Sequence, residues 1–186
     1  VTATNFAACF AETERWEGGY VDNPHDPGGA TLKGVTQAVY TAWRASHGLP
    51  PAPVRNATDA DIAAIYRAQY WNAVRGDDLY DGLDLVMTDT GWGSGPVTAV
   101  KILQRILSMP VIDGHLGVRT LAAVKSSWNS PGLILKLCTA RMEFFQRLPT
   151  WRYFGKGWTA RLTGIQSAAL AMNAAARRST PIPTPP

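Results

Sequence analysis

The sequence predicts a mostly helical protein with at most one small β-hairpin, near residues 20–35. Three observations point there. Apolar residues recur at three- and four-residue spacing through most of the chain. Helix-start signals precede those runs at Asn5, Thr58, Pro96 and Ser130-Pro131. Only the stretch "GGYVDNPHDPGGATLKG" at 18–34 is too rich in glycine and turn formers to continue a helix.

Asn5 caps a first helix that puts Phe6, Cys9, Phe10 and Thr13 on one side and ends near Glu17, where Gly18-Gly19 stops it. A second helix covers about 36–47, and the prolines of "GLPPAPVRN" then forbid helix. Thr58 with Asp61 three positions later is close to a capping box, and Ile62, Ile65, Tyr66 and Tyr70 form the inward face behind it. Leu83, Val86 and Met87 lead into Asp89. Pro96 opens a helix with Val97, Val100, Leu103 and Leu107 inward. Asp113-Gly114 reads as a turn before a short helix, and the helix begun at Ser130-Pro131 runs to about Leu148. "GKGW" at 155–158 reads as a turn, followed by an alanine-rich helix to about 178. These elements suggest a catalytic lobe over 1–95, a helical lobe over 96–178 packed with it as one unit, and a flexible tail at 179–186.

Hydrophobic residues at 46% against 17% charged exclude a disordered chain, and 186 residues suffice for one well-buried core. No run of 18 apolar residues occurs, so stable membrane insertion is not expected. The first ten residues lack the basic and long apolar regions of a signal peptide. Cys9 and Cys138 sit in apolar helical patterns and read as free buried thiols.

Charge is distributed unevenly. Residues 1–90 hold 6 basic and 12 acidic side chains, a net of −6, whereas 91–186 hold 12 basic and 2 acidic, a net of +10. The second half is suited to polyanions such as wall polymers. Lys136, Arg141, Arg147, Arg152, Lys156 and Arg161 are candidates for that positive field, with a plain solvated face as the alternative. They are scattered over different helices without a reading motif, so nucleic acid is not an expected partner. Trp151, Tyr153 and Phe154 suit either core packing or the lining of a saccharide groove.

The densest chemistry lies in residues 12–34. Cleaving a glycosidic bond takes a carboxylic acid to protonate the leaving oxygen and a carboxylate to act as nucleophile or to activate water. Glu17, beside Trp16 and before Gly-Gly, suits the first role, since a carboxyl packed against aromatic surface keeps its proton to higher pH. Gly18 and Gly19 let a sugar chain approach. Asp26 can return across the loop toward Glu17, Thr31 can hold a water against it, and Gly28-Gly29 permits the reversal. The bare pattern E-x8-D-x4-T also fits residues that merely cap turns. His25 with Asp22 and Asp26 offers three potential ligands, but H-E-x-x-H is missing and His47 and His115 lie elsewhere. No metal and no cofactor are expected. No serine sits in a G-x-S-x-G elbow.

"EGGYVDNPHDPGGATLKGVT" resembles the N-terminal signature of glycoside hydrolase family 108, the bacterial and phage N-acetylmuramidases, which looks like E-G-G-Y-x5-D-x-G-G-x-T-x2-G-[IV]-T. "IYRAQYWNAVRGDDL" and "TDTGWGSGPVTAVKILQRIL" resemble later segments of that family. "DGHLGVRTLAAV" is similar to the D-G-x-x-G-x-x-T of its peptidoglycan-associated second part. The similarity covers roughly residues 6–165.

The resemblance implies a lysozyme-like fold and hydrolysis of the β-1,4 bond between N-acetylmuramic acid and N-acetylglucosamine in peptidoglycan. It places the catalytic glutamate on Glu17, with Asp26 and Thr31 supporting. Gly18, Gly19, Tyr20, Gly28, Gly29, Asp89 and Trp92 become substrate-binding candidates. Gly93 stands where the family has Asn, which puts substrate contacts in question more than chemistry. The implied partner is the glycan strand, met by a monomer acting on the bacterial wall from the periplasm or the exterior. Delivery as a phage endolysin, a phage-particle component or a secreted enzyme all fit. Two other readings are lytic transglycosylation and a non-catalytic wall-binding or structural module.

Overall fold

In the computed structural model, which describes residues 5–22, 29–127 and 130–179, eight helices surround a small antiparallel sheet. Helix α1 (Asn5–Glu14) buries Cys9 and Thr13 and partly covers Phe6 and Phe10, the side that apolar spacing predicts. Strands β1 (Tyr20–Val21), β2 (Thr31–Leu32) and β3 (Val35–Thr36) pair in that order, with Tyr20 opposite Leu32 and Leu32 opposite Val35. Lys33 and Gly34 close the β2–β3 hairpin, both with positive φ, 46° and 77°. A two-residue hairpin turn with that backbone matches the right-handed twist of its strands.

Helix α2 (Gln37–Ser46) is capped by Thr36, whose side chain accepts from the Val39 N–H. Helix α3 (Asp59–Tyr66) carries a complete capping box between Thr58 and Asp61 and continues as a π-helical turn to Trp71. Ile62, Ile65, Tyr40, Val35 and Val54 form a small core beneath the sheet.

The main core centres on α4 (Leu83–Ser94), whose residues 83–91 are all buried. It packs against α5 (Pro96–Ile106), α7 (Pro131–Gln146) and α8 (Trp151–Ser179), with α6 (Val118–Ser126) closing one side. Helix α1 packs on both α4 and α8, so the two halves of the sequence share one core that runs from Cys9 to Ala169. No described helix is long and apolar enough to cross a membrane.

Two sequence expectations change. "GKGW" is not a turn: α8 runs unbroken from Trp151. Gly155 is buried beneath the Trp151 ring, where a Cβ would stand 2.8 Å from it, and Phe154 and Trp158 stack at 5.7 Å. Aromatic packing outweighs the cost of two helical glycines, about 1 kcal/mol each. Val97 is 55% exposed and not inward; it lies against the Asp113-Gly114 turn, where a Cβ on Gly114 would come 2.6 Å from it. The proposed tail begins as helix at Ser179, and 180–186 lie outside the described residues.

Candidate active site

Past Glu14 the chain tightens into i→i+3 turns. Trp16 N–H donates to Thr13 O and Glu17 N–H to Glu14 O, each at 3.0 Å. These bonds aim the two side chains at α8. The Trp16 ring lies on Gly164, where a Cβ would stand 2.1 Å from it, so only glycine lets the ring reach the helix backbone. The Glu17 carboxylate is 14% exposed, and its Oε1 accepts from Arg161 Nη1 at 2.5 Å. Its Oε2 faces the hairpin turn: a Cβ on Gly34 would lie 2.8 Å from Oε2 and 2.4 Å from the Trp92 ring. Trp92 in turn packs on Tyr70 and Tyr66, with ring centroids 4.6 and 5.0 Å apart.

Beneath Glu17 lies a chain of alternating charges. Arg161 Nη2 donates to Asp89 Oδ1 at 2.6 Å, and Arg141 Nη1 donates to Asp89 Oδ2 at 2.6 Å. Arg141 Nη2 also reaches the Asp89 carbonyl at 3.3 Å. Burial works against ionisation of Asp89, but the Arg141 and Arg161 guanidiniums outweigh it and hold the carboxyl below the usual range. Burial likewise opposes the charge on Arg161, and Asp89 and then Glu17 reverse that effect and push its pKa up. Tyr70 is pushed up by burial and by the Glu17 charge. Two acids and two guanidiniums thus balance one another, so a charged group can stand at the edge of a nearly dry site.

The candidates named from sequence fall unevenly around this centre. Asp26 and Gly28 lie outside the described residues. Thr31 is half-buried in β2, and its hydroxyl donates to Gly29 O at 3.3 Å. Gly18, Gly19 and Gly29 have nothing within 4 Å of the place a Cβ would take, and Gly29 has a positive φ of 65°. Tyr20 is 42% exposed and donates to Asp22 Oδ2 at 3.0 Å. Trp92 is at the site. The Asp89 side chain is fully enclosed between Arg141 and Arg161, one layer below Glu17. Arg141 and Arg161 leave the set of candidates for an external positive field, because both are spent on that pair.

Sequence reasoning missed Arg161 as a site residue and Gly34 as its wall. Arg161 stands 144 positions from Glu17, so no local spacing links them. A cavity of about 380 Å³ lies elsewhere, lined among others by Gln104, Asp113, His115, Arg119 and Thr120. Its carboxylate, Asp113, accepts from Gln104 Nε2 and from the His115 N–H. Among the described residues no group of three or more His, Cys, Asp or Glu could hold a metal.

The glycosyl hydrolase 108 family matches residues 10–95, which contain Glu17, Gly34, Asp89 and Trp92. A predicted peptidoglycan domain matches residues 98–163, which supply Arg141 and Arg161. Among solved structures, SagA of Brucella abortus is similar at 40% identity and a TM-score of 0.80, covering 92% of this chain and 97% of that one. No match was found among curated proteins. With the glycosyl hydrolase 108 match over residues 10–95, the predicted peptidoglycan domain over 98–163 and the 40% identity to SagA over 92% of this chain, the chain belongs to the glycosyl hydrolase 108 family.

Proposed function

We propose that this peptidoglycan hydrolase is a lysozyme-type muramidase that cleaves the β-1,4 bond from N-acetylmuramic acid to N-acetylglucosamine, with Glu17 as general acid. The observation that carries the reading is the setting of Glu17. It is a carboxyl at the end of a helix, still reachable at 14% exposure, oriented by Arg161 through one oxygen, with two open glycines behind it.

Glu17 reacts from its protonated form: it gives its proton to the glycosidic oxygen as the bond to the leaving sugar breaks, and the Arg161 guanidinium balances the carboxylate that is left. Asp26 orients or activates the attacking water, and Thr31 helps to hold it. Attack on the opposite face inverts the anomeric centre, which takes carboxyls about 6.5–9.5 Å apart, against about 5–5.5 Å for retention through a covalent intermediate. Gly18, Gly19, Tyr20, Gly28, Gly29 and Trp92 border the strand. The enzyme acts as a monomer on the wall, with no cofactor.

Glu17→Gln and Asp26→Asn, assayed separately on purified peptidoglycan, test the assignment. Loss of Glu17 lowers the rate at least about 10²–10⁴-fold. Parental clearing by Glu17→Gln would remove Glu17 from the mechanism. Mass spectrometry of the ends separates the alternatives. Reducing muramic ends mark hydrolysis, 1,6-anhydro ends mark lytic transglycosylation, and binding without new ends marks a non-catalytic wall module.

A further inference from the structure

Phe154 is 55% exposed in the first turns of α8. It is not loose. One side of its ring stacks on Trp158 at 5.7 Å and 29°, and Trp158 packs on the buried Phe145 at 4.9 Å. A solvent-facing phenyl braced by a rigid stack is a planar apolar surface fixed in orientation, and an apolar face held open to water needs a reason.

Helix geometry supplies one. Phe154 and Arg161 are seven residues apart, nearly two full turns, so they project from α8 within about 20° of each other and about 10 Å apart along the axis. Gly157 lies on the same face between them and has nothing within 4 Å of its Cβ position. Gly164, one turn beyond Arg161, carries the Trp16 ring. One face of α8 therefore presents Phe154, an open glycine, the guanidinium that holds Glu17, and then Trp16. Aromatic rings thus lie along α8 on both sides of Arg161, and between Phe154 and Arg161 nothing stands within 4 Å of the Gly157 Cβ position.

We propose that Phe154 is a sugar-stacking platform, a distal binding position for a pyranose ring of the same glycan strand that is cut at Glu17. The occupant is a saccharide and not a membrane or a protein, because the platform continues the face that bears the site and its gap is an unobstructed glycine. This rests on the muramidase reading. Stacking there acts on binding alone: a strand long enough to reach Phe154 is held in register, and a short one is not.

The test uses glycan strands freed of stem peptides and fractionated by length, with the full chain as enzyme. Phe154→Ala raises KM for long strands about 3- to 10-fold, the range of one aromatic contact, leaves kcat unchanged, and leaves the shortest cleavable fragments unaffected. Phe154→Trp restores the parental KM. Binding of long strands to Glu17→Gln, with and without Phe154→Ala, reads the same loss independently of turnover. An unchanged KM and affinity in Phe154→Ala overturn the platform, as does a loss that Phe154→Trp fails to restore. Parental activity of Glu17→Gln overturns the catalytic reading instead, so the two failures are distinct.

Discussion

Arg161 and Glu17, separated by 144 positions in sequence, meet at 2.5 Å, and the same guanidinium reaches Asp89 at 2.6 Å. One residue of α8 thereby ties the end of α1 to the middle of α4. Arg161→Ala leaves Glu17 free to swing, and a misplaced catalytic group costs roughly 10²-fold in kcat/KM. Arg161→Lys keeps the charge but not the two-sided fork, so it recovers only part of the loss. Steady-state kinetics on solubilised peptidoglycan, with helicity checked by circular dichroism, decide this. Equal activity of the parent and Arg161→Ala would show that Glu17 needs no brace.

Asp89 is predicted to matter for stability more than for contact with substrate. Asp89→Ala leaves Arg141 and Arg161 facing each other in a dry interior, and losing one partner of a buried pair costs about 3–5 kcal/mol. For a chain of this size that lowers Tm by about 10 °C or more. Because the groups act as one network, Asp89→Ala combined with Arg141→Met should cost less than the two changes summed, which a thermal double-mutant cycle measures.

Gly34→Ala tests the wall of the site. Its Cβ would stand 2.4 Å from Trp92 and 2.8 Å from Glu17 Oε2, at a φ of 77°. Gly48→Ala is the control, since Gly48 has a similar φ of 66° with nothing within 4 Å. Both pay the backbone cost of about 1 kcal/mol, but only Gly34→Ala should lose activity while remaining folded. Equal activities in the two variants would mean that the hairpin turn yields without disturbing Glu17.

Asp84 sets a pH dependence of stability. Burial raises its pKa to about 7, against the opposing Asn5 side-chain and Leu85 N–H hydrogen bonds. The folded chain therefore keeps a proton that the unfolded chain gives up from about pH 4. The corresponding stability is full below that value and is lost as pH rises through about 7. Asp84→Asn, which cannot ionise, should flatten this part of the Tm-versus-pH curve. A variant curve parallel to the parent's would assign the slope to other groups.

The helical architecture was legible because its signals are local. The caps at Thr58 and Ser130 and the faces of α1 and α3 all follow from residues three or four apart. The unbroken start of α8 was not, since Gly155 and Gly157 weigh against helix until the Trp151 ring packs on Gly155 and Phe145 on Trp158. The same division holds at the site. Glu17 could be picked out beside its glycines. Its partner Arg161 looked like any surface cation, because a guanidinium's acceptors are visible only in three dimensions. Asp89 was found by motif, but its two guanidinium partners stand 52 and 72 positions away in sequence. Gly93, where the family has Asn, is open: a Cβ there meets only Arg141 Nη2, at an ordinary 3.5 Å. The space for that amide is still present, so the substitution is one of composition and not of shape.

Cys9 on α1 and Cys138 on α7 form no disulfide and both lie in the main core. Burial, reinforced for Cys9 by Asp84, pushes both thiols up, Cys138 to about 12. Neither forms a reactive thiolate at neutral pH while the core is closed. Alkylating reagents can therefore reach them only during excursions that open α1 or α7, and the labelling rate of each sulfur becomes a clock for its own helix.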